Sequence, residues 1–329
     1  MSAIVISVIV AAVVFEFING FHDTANAITT TVYTRALPVG VAIALAAVMN
    51  FAGAFASEGV AKTISTGLVS VQIAEYVVLA TLVGAIVWNL ITWWFGLPSS
   101  SSHALIGSLL GATMVATAGF QGIMWDGVLQ KIIIPLISSP LIGFFAAFAL
   151  MKLVFKLFAH KPRSWVNKVF RRAQIASAAL MAFSHGTNDA QKTMGIITLA
   201  LVSGGMLTAE AGIPLWVKLL CAVTIALGTS VGGRKIMRTM GRGVTKIEPA
   251  GGFVAETTAA LVIELMSFLH APISTTHVIS SSVMGVGSAR RLSAVKWLTV
   301  RKIVSAWVVT LPVSAVIGAA SSFVFGLFF

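Results

Sequence analysis

The segment Gly20-Phe21-His22-Asp23-Thr24-Ala25-Asn26 is polar and lies inside a long apolar run that starts near residue 3. An aspartate at such a place costs about 3 kcal/mol when hydrocarbon is the solvent. Backbone that unwinds in a membrane is tolerated only where it is buried or lines a cavity. We therefore expect a broken transmembrane helix here, with Asp23 paired to a cation, a proton or a basic side chain.

A second copy of this pattern, Ser184-His185-Gly186-Thr187-Asn188-Asp189, again lies inside an apolar run. Each copy is followed by a proline motif, Gly-Leu-Pro-Ser-Ser-Ser-Ser-His at 96–103 and His-Ala-Pro-Ile-Ser-Thr-Thr-His at 270–277. Two motif pairs in the same order predict an internal repeat. We divide the chain into a first transmembrane repeat, 1–150, a short basic cytoplasmic connector, 151–173, and a second repeat, 174–329.

The composition excludes a water-soluble protein. Of the 329 residues, 57% are hydrophobic and only 10% are charged, whereas soluble domains carry about 25% charged residues. A helical crossing needs about 20 apolar residues, so the chain has room for roughly ten crossings. The apolar runs lie at 3–34, 37–57, 76–95, 97–118, 131–150, 174–200, 213–231, 250–270, 271–287 and 303–328.

The net charge of +12 reports topology rather than a nucleic-acid partner, because the basic residues are grouped between apolar runs. The positive-inside rule places these groups in the cytoplasm. With ten crossings, both termini are then outside the cell. The segment 58–75 carries one basic residue, and its counterpart 232–247 carries five, so equivalent loops are expected on opposite sides of the membrane. The grouped residues are Lys152, Lys156, Lys161, Arg163, Lys168, Arg171 and Arg172; Arg234, Lys235, Arg238, Arg242 and Lys246; and Arg290, Arg291, Lys296, Arg301 and Lys302.

The sequence therefore predicts an all-α integral membrane protein of about ten passes, with broken or re-entrant helices and two inverted-topology repeats, an architecture common in transporters. The expected location is the cell membrane, plasma or inner, with lipid as the solvent. Whether segments 97–118 and 271–287 cross the bilayer or re-enter it is left open. The oligomeric state is also open, and a homodimer is one option.

The two kinds of motif suit ions of opposite sign. Proline is tolerated at a helix start, where its missing N–H is not needed inside the helix. The hydroxyls that follow it, the free N–H groups and the positive end of the helix dipole favour an anion. Sodium ions or protons at the aspartate motifs would supply the countercharge. We therefore expect an oxyanion and a cation to bind together.

Other interpretations of the motifs stay open. Small residues such as those of Gly107-x-x-x-Gly111 and Ser281-x-x-x-Gly285 often let membrane helices pack closely. His103 and His277 are expected to be hydrogen-bonded orienting groups rather than metal ligands. Glu16 and Glu264 lie alone in apolar runs, where a coupling role and a satisfied hydrogen bond are equally open.

Other function classes fit less well. An intramembrane hydrolase needs one nucleophile rather than two matched clusters, and no Gly-x-Ser-x-Gly elbow is present. No phosphate-binding P-loop occurs, which argues against ATP drive. Paired half-helices disfavour a passive channel, which single-channel recording would identify. We expect a transporter, not an enzyme.

At this point the motifs resemble those of the PiT family of inorganic phosphate transporters. The stretch 20–27 resembles the family signature Gly-Ala-Asn-Asp-Val-Ala-Asn-Ala, and 184–192 is similar to its second copy. The stretch from 247 through 277 is similar to the C-terminal signature. Two departures are that His22 replaces the usual asparagine and that Gln191-Lys192 stands opposite Ala25-Asn26.

The resemblance implies secondary active symport of phosphate with sodium ions, with the site at the repeat interface and no organic cofactor. Proton-coupled transport of phosphate or sulfate is the alternative. Three roles are open for Lys192: neutralising Asp189, reaching the phosphate, or snorkelling to the membrane interface. The candidate sodium ligands are Asp23, Asn26, Asn188 and Asp189. The candidate phosphate ligands are Ser101, Ser102, Thr275, Thr276, Asn26 and Lys192.

Overall fold

The computed structural model describes residues 2–69 and 73–329, so Met1 and residues 70–72 of the segment 58–75 lie outside the described part. The helices in chain order are α1 (Ala3–Tyr33), α2 (Val39–Gly53), α3 (Gly59–Thr66), α4 (Glu75–Phe95), α5 (Ser101–Ala116), α6 (Trp125–Val128), α7 (Ile134–Leu157), α8 (Arg163–Ser203), α9 (Leu215–Val231), α10 (Arg234–Gly243), α11 (Pro249–Phe268), α12 (Thr275–Arg290) and α13 (Trp297–Phe325). A π-helical turn at Leu129–Ile133 joins α6 to α7, and a 3₁₀ turn at Leu292–Ala294 precedes α13.

The predicted all-α membrane fold is confirmed, since every predicted apolar run lies largely within one helix. Within the described residues, five helices are long and apolar enough to cross a membrane, namely α1, the continuous Trp125–Leu157, α4, α11 and α13. Helices α2, α5 and α9 are apolar but shorter. The number of passes and the inverted repeats stay predictions, as does the division into domains. Most of the predicted connector is helical, because α7 ends at Leu157 and α8 begins at Arg163.

The expected breaks in the helices at the aspartate motifs are wrong. Helix α1 runs for 31 residues and α8 for 41, each continuously through its motif. The backbone need not unwind because the polar side chains find partners on neighbouring helices or on their own helix. For example, Thr24 Oγ1 donates to Gly20 O at 2.5 Å, and Thr187 Oγ1 donates to Phe183 O at 3.0 Å.

The proline motifs do start new helices, and they do so in the same way in both halves. Helix α4 ends at Gly96, whose φ is 64°, and α11 is followed by His270, whose φ is 59°. The N-cap hydroxyls of Ser100 and Ser274 then accept from the backbone N–H of the histidine three residues on. Helices α5 and α12 have 16 residues each, which is about 24 Å at 1.5 Å per residue and short of the roughly 30 Å hydrocarbon core.

Close packing holds these two short helices in place. Helix α5 lies against α13, and a Cβ added at Gly111 would sit 1.9 Å from Ala315 O. Helix α12 lies against α7, and a Cβ at Gly285 would sit 2.2 Å from Phe144 O. The packing interpretation of the small-residue motifs is therefore confirmed at these glycines. Each short helix packs on the last long helix of the other half.

The long helices α1 and α8 occupy the centre. They pack against each other, α1 also packs on α4 and α9, and α8 also packs on α11 and α2. Each central helix thus packs on one helix of its own half of the chain and on one helix of the other half. The buried apolar side chains form two clusters, one including Val5, Leu105 and Met194 and the other including Ile28, Met181 and Ile279. The polar motifs of α1 and α8 are buried in the same helix bundle, beside the starts of α5 and α12.

Candidate functional site

The two aspartates that mark the repeats lie close together although they are far apart in sequence. One ligand atom of each of Asp23, His185 and Asp189 lies within 4.8 Å of the other two. Asp23 is 3% exposed and Asp189 is fully buried. The predicted proximity of the two carboxylates is therefore confirmed, because α1 and α8 pack directly against each other.

Each carboxylate accepts a hydrogen bond from the first residue of the helix that the proline motif of its own half starts, Ser101 of α5 or Thr275 of α12. Ser101 Oγ donates to Asp23 Oδ2 at 3.3 Å, and Thr275 Oγ1 donates to Asp189 Oδ2 at 3.4 Å. A histidine also adjoins each carboxylate. His22 Nδ1 lies 2.7 Å from Asp23 Oδ1, and His185 Nε2 lies 3.2 Å from Asp189 Oδ2.

The residue three positions after each aspartate reaches across to the hydroxyl of the second residue of α12 or α5, in the other half of the chain. Asn26 Nδ2 donates to Thr276 Oγ1 at 2.9 Å. Lys192 Nζ donates to Ser102 Oγ, to Asp189 Oδ1 and, at 2.9 Å, to Ile273 O. The snorkelling role for Lys192 is wrong, because its side chain is only 2% exposed and its ammonium group has these three acceptors.

Asn188 is also buried but points away from the carboxylate pair toward α11. Its Nδ2 donates to Ser267 Oγ at 2.9 Å and approaches Ala271 O at 3.5 Å. Its Oδ1 has no hydrogen-bond partner among the described residues, and neither has Oδ1 of Asn26. A buried carbonyl oxygen without a donor is a ready acceptor for a cation or a water molecule. The structure thus buries all nine candidate residues, each 3% exposed or less: Asp23, Asn26, Ser101, Ser102, Asn188, Asp189, Lys192, Thr275 and Thr276.

Sequence reasoning missed two contributors to this cluster. His185 was not proposed as a partner of Asp189, although the two are four residues apart on one helix and therefore on one face. Its other ring nitrogen, Nδ1, lies 3.0 Å from Asn50 Oδ1 of α2, which holds the ring toward the aspartate. The carbonyl of Ile273, which accepts from Lys192, gave no signal in the sequence because it is a backbone group.

One ring nitrogen of each histidine of the proline motifs lacks the expected hydrogen bond among the described residues. Their rings contact each other, with centroids 4.8 Å apart, and the ring of His277 stacks on Trp307 at 4.0 Å. Nδ1 of His103 and Nε2 of His277 have no hydrogen-bond partner among the described residues. The ring contact shows that the first turns of α5 and α12 face each other beside the aspartates.

A second buried carboxylate cluster, which the sequence did not suggest, joins three helices. Glu256 of α11 is fully buried. Its Oε1 accepts from Thr30 Oγ1, from Thr31 Oγ1 at 2.5 Å and from Gln174 Nε2 at 3.1 Å, while Oε2 accepts from Ser177 Oγ at 2.5 Å. These donors come from α1 and α8. The cluster therefore ties α11 to both central helices.

The arrangement has the chemistry needed for a cation and an anion. Oxygen ligands of a hard cation such as Ca²⁺ lie at about 2.3–2.6 Å, so ligand atoms up to about 5 Å apart can share one ion. The carboxylates of Asp23 and Asp189 meet this requirement. The facing N-termini of α5 and α12 add hydroxyl groups and positive dipole ends, which favour an anion.

Comparison with known proteins assigns the family. The model of a phosphate transporter family matches residues 19–165 and 158–318. The chain is 49% identical to a "probable low-affinity inorganic phosphate transporter" of Bacillus subtilis, covering 98% of both chains. It is 46% identical to a protein of the same description from Rhizobium meliloti, covering 97% of this chain and 96% of the other.

A solved structure described as a sodium-dependent phosphate transporter matches the whole length of both chains with a TM-score of 0.91 and 28% identity. The relatives are named as transporters, so the expectation of a transport protein rather than an enzyme is confirmed. The resemblance of the motifs to those of the PiT family is also confirmed. The chain belongs to the phosphate transporter family.

Proposed function

We propose that this protein is a secondary active transporter that carries inorganic phosphate together with sodium ions through the cell membrane. The observation that carries the proposal is the meeting of the Asp23 and Asp189 carboxylates with the hydroxyl-rich starts of α5 and α12 in one buried cluster. The sodium dependence named for the similar solved structure supports the choice of ion. The names of the curated relatives support phosphate as the substrate.

Charge supplies the physical reason for coupling. The cluster contains two carboxylates, Asp23 and Asp189, against one ammonium, Lys192. One carboxylate therefore lacks a fixed countercharge in a buried site where unpaired charge is costly. A phosphate anion entering beside it adds further negative charge, so binding is favourable only when a mobile cation accompanies it. A sodium ion at Asp23 lowers the cost of the anion, and the anion lowers the cost of sodium.

The phosphate site is proposed at the facing helix starts. The hydroxyls of Ser102 and Thr276, the second residues of α5 and α12, each already accept a hydrogen bond from the opposite half. The hydroxyls and the first N–H groups of α5 and α12 are the kinds of donor that bind a tetrahedral oxyanion. Alternating access would then move the two halves around a site to which both contribute.

The test is uptake of radiolabelled phosphate into proteoliposomes with sodium and proton gradients imposed separately. An inward sodium gradient should drive accumulation of phosphate above equilibrium, and excess sulfate should compete weakly. Accumulation driven by a proton gradient in the absence of sodium would reject sodium coupling and favour the proton-coupled alternative. Accumulation of sulfate in preference to phosphate would reject the proposed substrate.

A further inference from the structure

The ammonium group of Lys192 lies in a cage of oxygen atoms. Its three acceptors are the Asp189 carboxylate, the Ser102 hydroxyl and the Ile273 carbonyl, the last at 2.9 Å. An ammonium has three N–H donors, so every donor is matched. A carboxylate, a hydroxyl and a backbone carbonyl are also the ligand types that a hard cation such as sodium takes. The cage is a cation site, and a side chain fills it.

The matching position in the first half has no such charge. Asn26 follows Asp23 by three residues, as Lys192 follows Asp189, and it contacts the matching hydroxyl, Thr276 Oγ1. Its Nδ2 makes that contact, so its Oδ1 is left buried without a hydrogen-bond partner in the described part of the chain. The first half-site therefore offers an unpaired oxygen atom near a carboxylate whose ion-pair neighbour among the described residues is His22 rather than a lysine.

We propose that Lys192 is a tethered cation that permanently occupies the coupling-ion position of the second half-site, so that sodium binds only in the first half-site, beside Asp23 and Asn26. This inference rests on the proposed sodium coupling and goes further, because it assigns which half-site exchanges its ion. Its physical basis is that the ammonium neutralises Asp189 at every sodium concentration. A sodium ion placed between the two carboxylates would meet that ammonium, which repels it toward Asp23.

Two consequences separate this role from a structural ion pair. The second half-site never empties during the transport cycle, so it adds no sodium dependence. Phosphate transport should then respond to sodium along a simple saturation curve rather than a sigmoidal one. A lysine that only anchored helix α8 would leave the number of bound sodium ions unchanged when it is replaced.

The decisive variant is Lys192→Asn, which makes the second half-site match the first. Binding of ²²Na⁺ to the purified, detergent-solubilised protein is measured beside the sodium dependence of phosphate uptake in proteoliposomes. The wild type should bind one sodium ion per chain, and Lys192→Asn should bind one more and show a sigmoidal sodium dependence. The mirror variant, Asn26→Lys, places a tethered cation in the first half-site and should remove saturable ²²Na⁺ binding.

The outcomes distinguish the inference from the proposed function. If the wild type already binds two sodium ions and Lys192→Asn adds none, the tethered-cation role is overturned while sodium coupling stands. If the wild type binds no sodium and its phosphate uptake does not depend on sodium, the tethered-cation role and the proposed sodium coupling are both rejected. Should Lys192→Asn not fold, Lys192→Met keeps the stem and opens the cage. Sodium, but not choline, should then raise its unfolding temperature more than that of the wild type, and an equal rise would overturn the inference.

Discussion

Asn26 and Lys192 make the same contact from opposite halves of the chain. Asn26 Nδ2 donates to Thr276 Oγ1 at 2.9 Å, and Lys192 Nζ donates to Ser102 Oγ. The two acceptors are matching hydroxyls at the starts of α12 and α5. Each half of the chain therefore contributes one contact to the helix start of the other half.

The same reciprocity extends to the packing of the helices. Helix α5 packs on α13 and α12 packs on α7, each through glycines that approach a backbone carbonyl. Packing contacts of this kind between the two halves are expected of inverted-topology repeats. The inverted repeats themselves stay a prediction.

The first prediction concerns the proposed sodium ligand with no fixed countercharge. Asp23→Asn removes the carboxylate and keeps its shape and its hydrogen bond from Ser101. Sodium-stimulated phosphate uptake should be lost because the mobile cation has no charged ligand, while the thermal unfolding midpoint should change little. Asp126→Asn, at an exposed carboxylate of α6, is the control and should transport normally. Unchanged sodium stimulation in Asp23→Asn would reject the assignment.

The second prediction concerns the hydroxyls assigned to phosphate. Ser102→Ala and Thr276→Val remove one hydroxyl each from the starts of α5 and α12. A lost hydrogen bond to a charged ligand costs about 1.5–3 kcal/mol, so the apparent phosphate affinity should fall by about one to two decades. Concentration-dependent uptake at saturating sodium measures this. Thr198→Val is the control, since that buried hydroxyl has no hydrogen-bond partner among the described residues. Wild-type affinity in both site variants would show that these hydroxyls only pack.

The third prediction concerns the second buried carboxylate. Glu256→Gln places an amide N–H₂ among the hydroxyl and amide donors of Thr30, Thr31, Gln174 and Ser177. A buried donor left without an acceptor costs about 1–3 kcal/mol, so the unfolding midpoint in detergent should fall clearly. The control is Glu210→Gln on the exposed loop after α8, which should unfold like the wild type. Equal midpoints for the two variants would contradict a stabilising role for the cluster.

The fourth prediction tests the close approach of α5 and α13. Gly111→Ala places a Cβ 1.9 Å from the backbone oxygen of Ala315, so one helix must move. Overpacking of this kind costs about 1–3 kcal/mol, which should appear as a lower unfolding temperature. Gly40→Ala in α2 meets no atom within 4 Å and should be neutral or stabilise by up to about 1 kcal/mol. If the two variants were equally stable, the close approach would be refuted.

The fifth prediction is a pH dependence at the surface. Glu58, in the loop before α3, accepts from Lys218 at the start of α9, and this hydrogen bond lowers the pKa of Glu58 below its ordinary value. A lowered folded-state pKa means that the stabilisation is present above the unfolded-state pKa and is lost as the pH falls through the folded-state value. Because the pair is partly exposed, it contributes at most about 1 kcal/mol.

Thermal unfolding of the wild type and Lys218→Met at neutral and acidic pH measures this effect. The wild type should be the more stable protein at neutral pH, and the difference should shrink as Glu58 is protonated. A difference that is independent of pH would point to packing of the lysine stem rather than to the ion pair.

Sequence alone determined the helices, the membrane environment and the family. Apolar runs of about 20 residues become helices in lipid because a helix satisfies its backbone hydrogen bonds within the single segment. The order of the motifs also predicted that Asp23 and Asp189 meet, since matched repeats place their sites at a shared interface. The starts of α5 and α12 followed from local signals, a proline and a capping serine.

The continuity of the central helices and the partners of the buried polar side chains depend on the tertiary structure. Helices α1 and α8 stay continuous because neighbouring helices supply partners for their polar side chains, which no single segment could reveal. The direction of Lys192, the partner of His185 and the Glu256 cluster depend on residues 90, 135 and 226 positions away in sequence. Hydropathy and capping act within a few turns of a helix, whereas the choice of a hydrogen-bond partner across the bundle depends on how the helices pack.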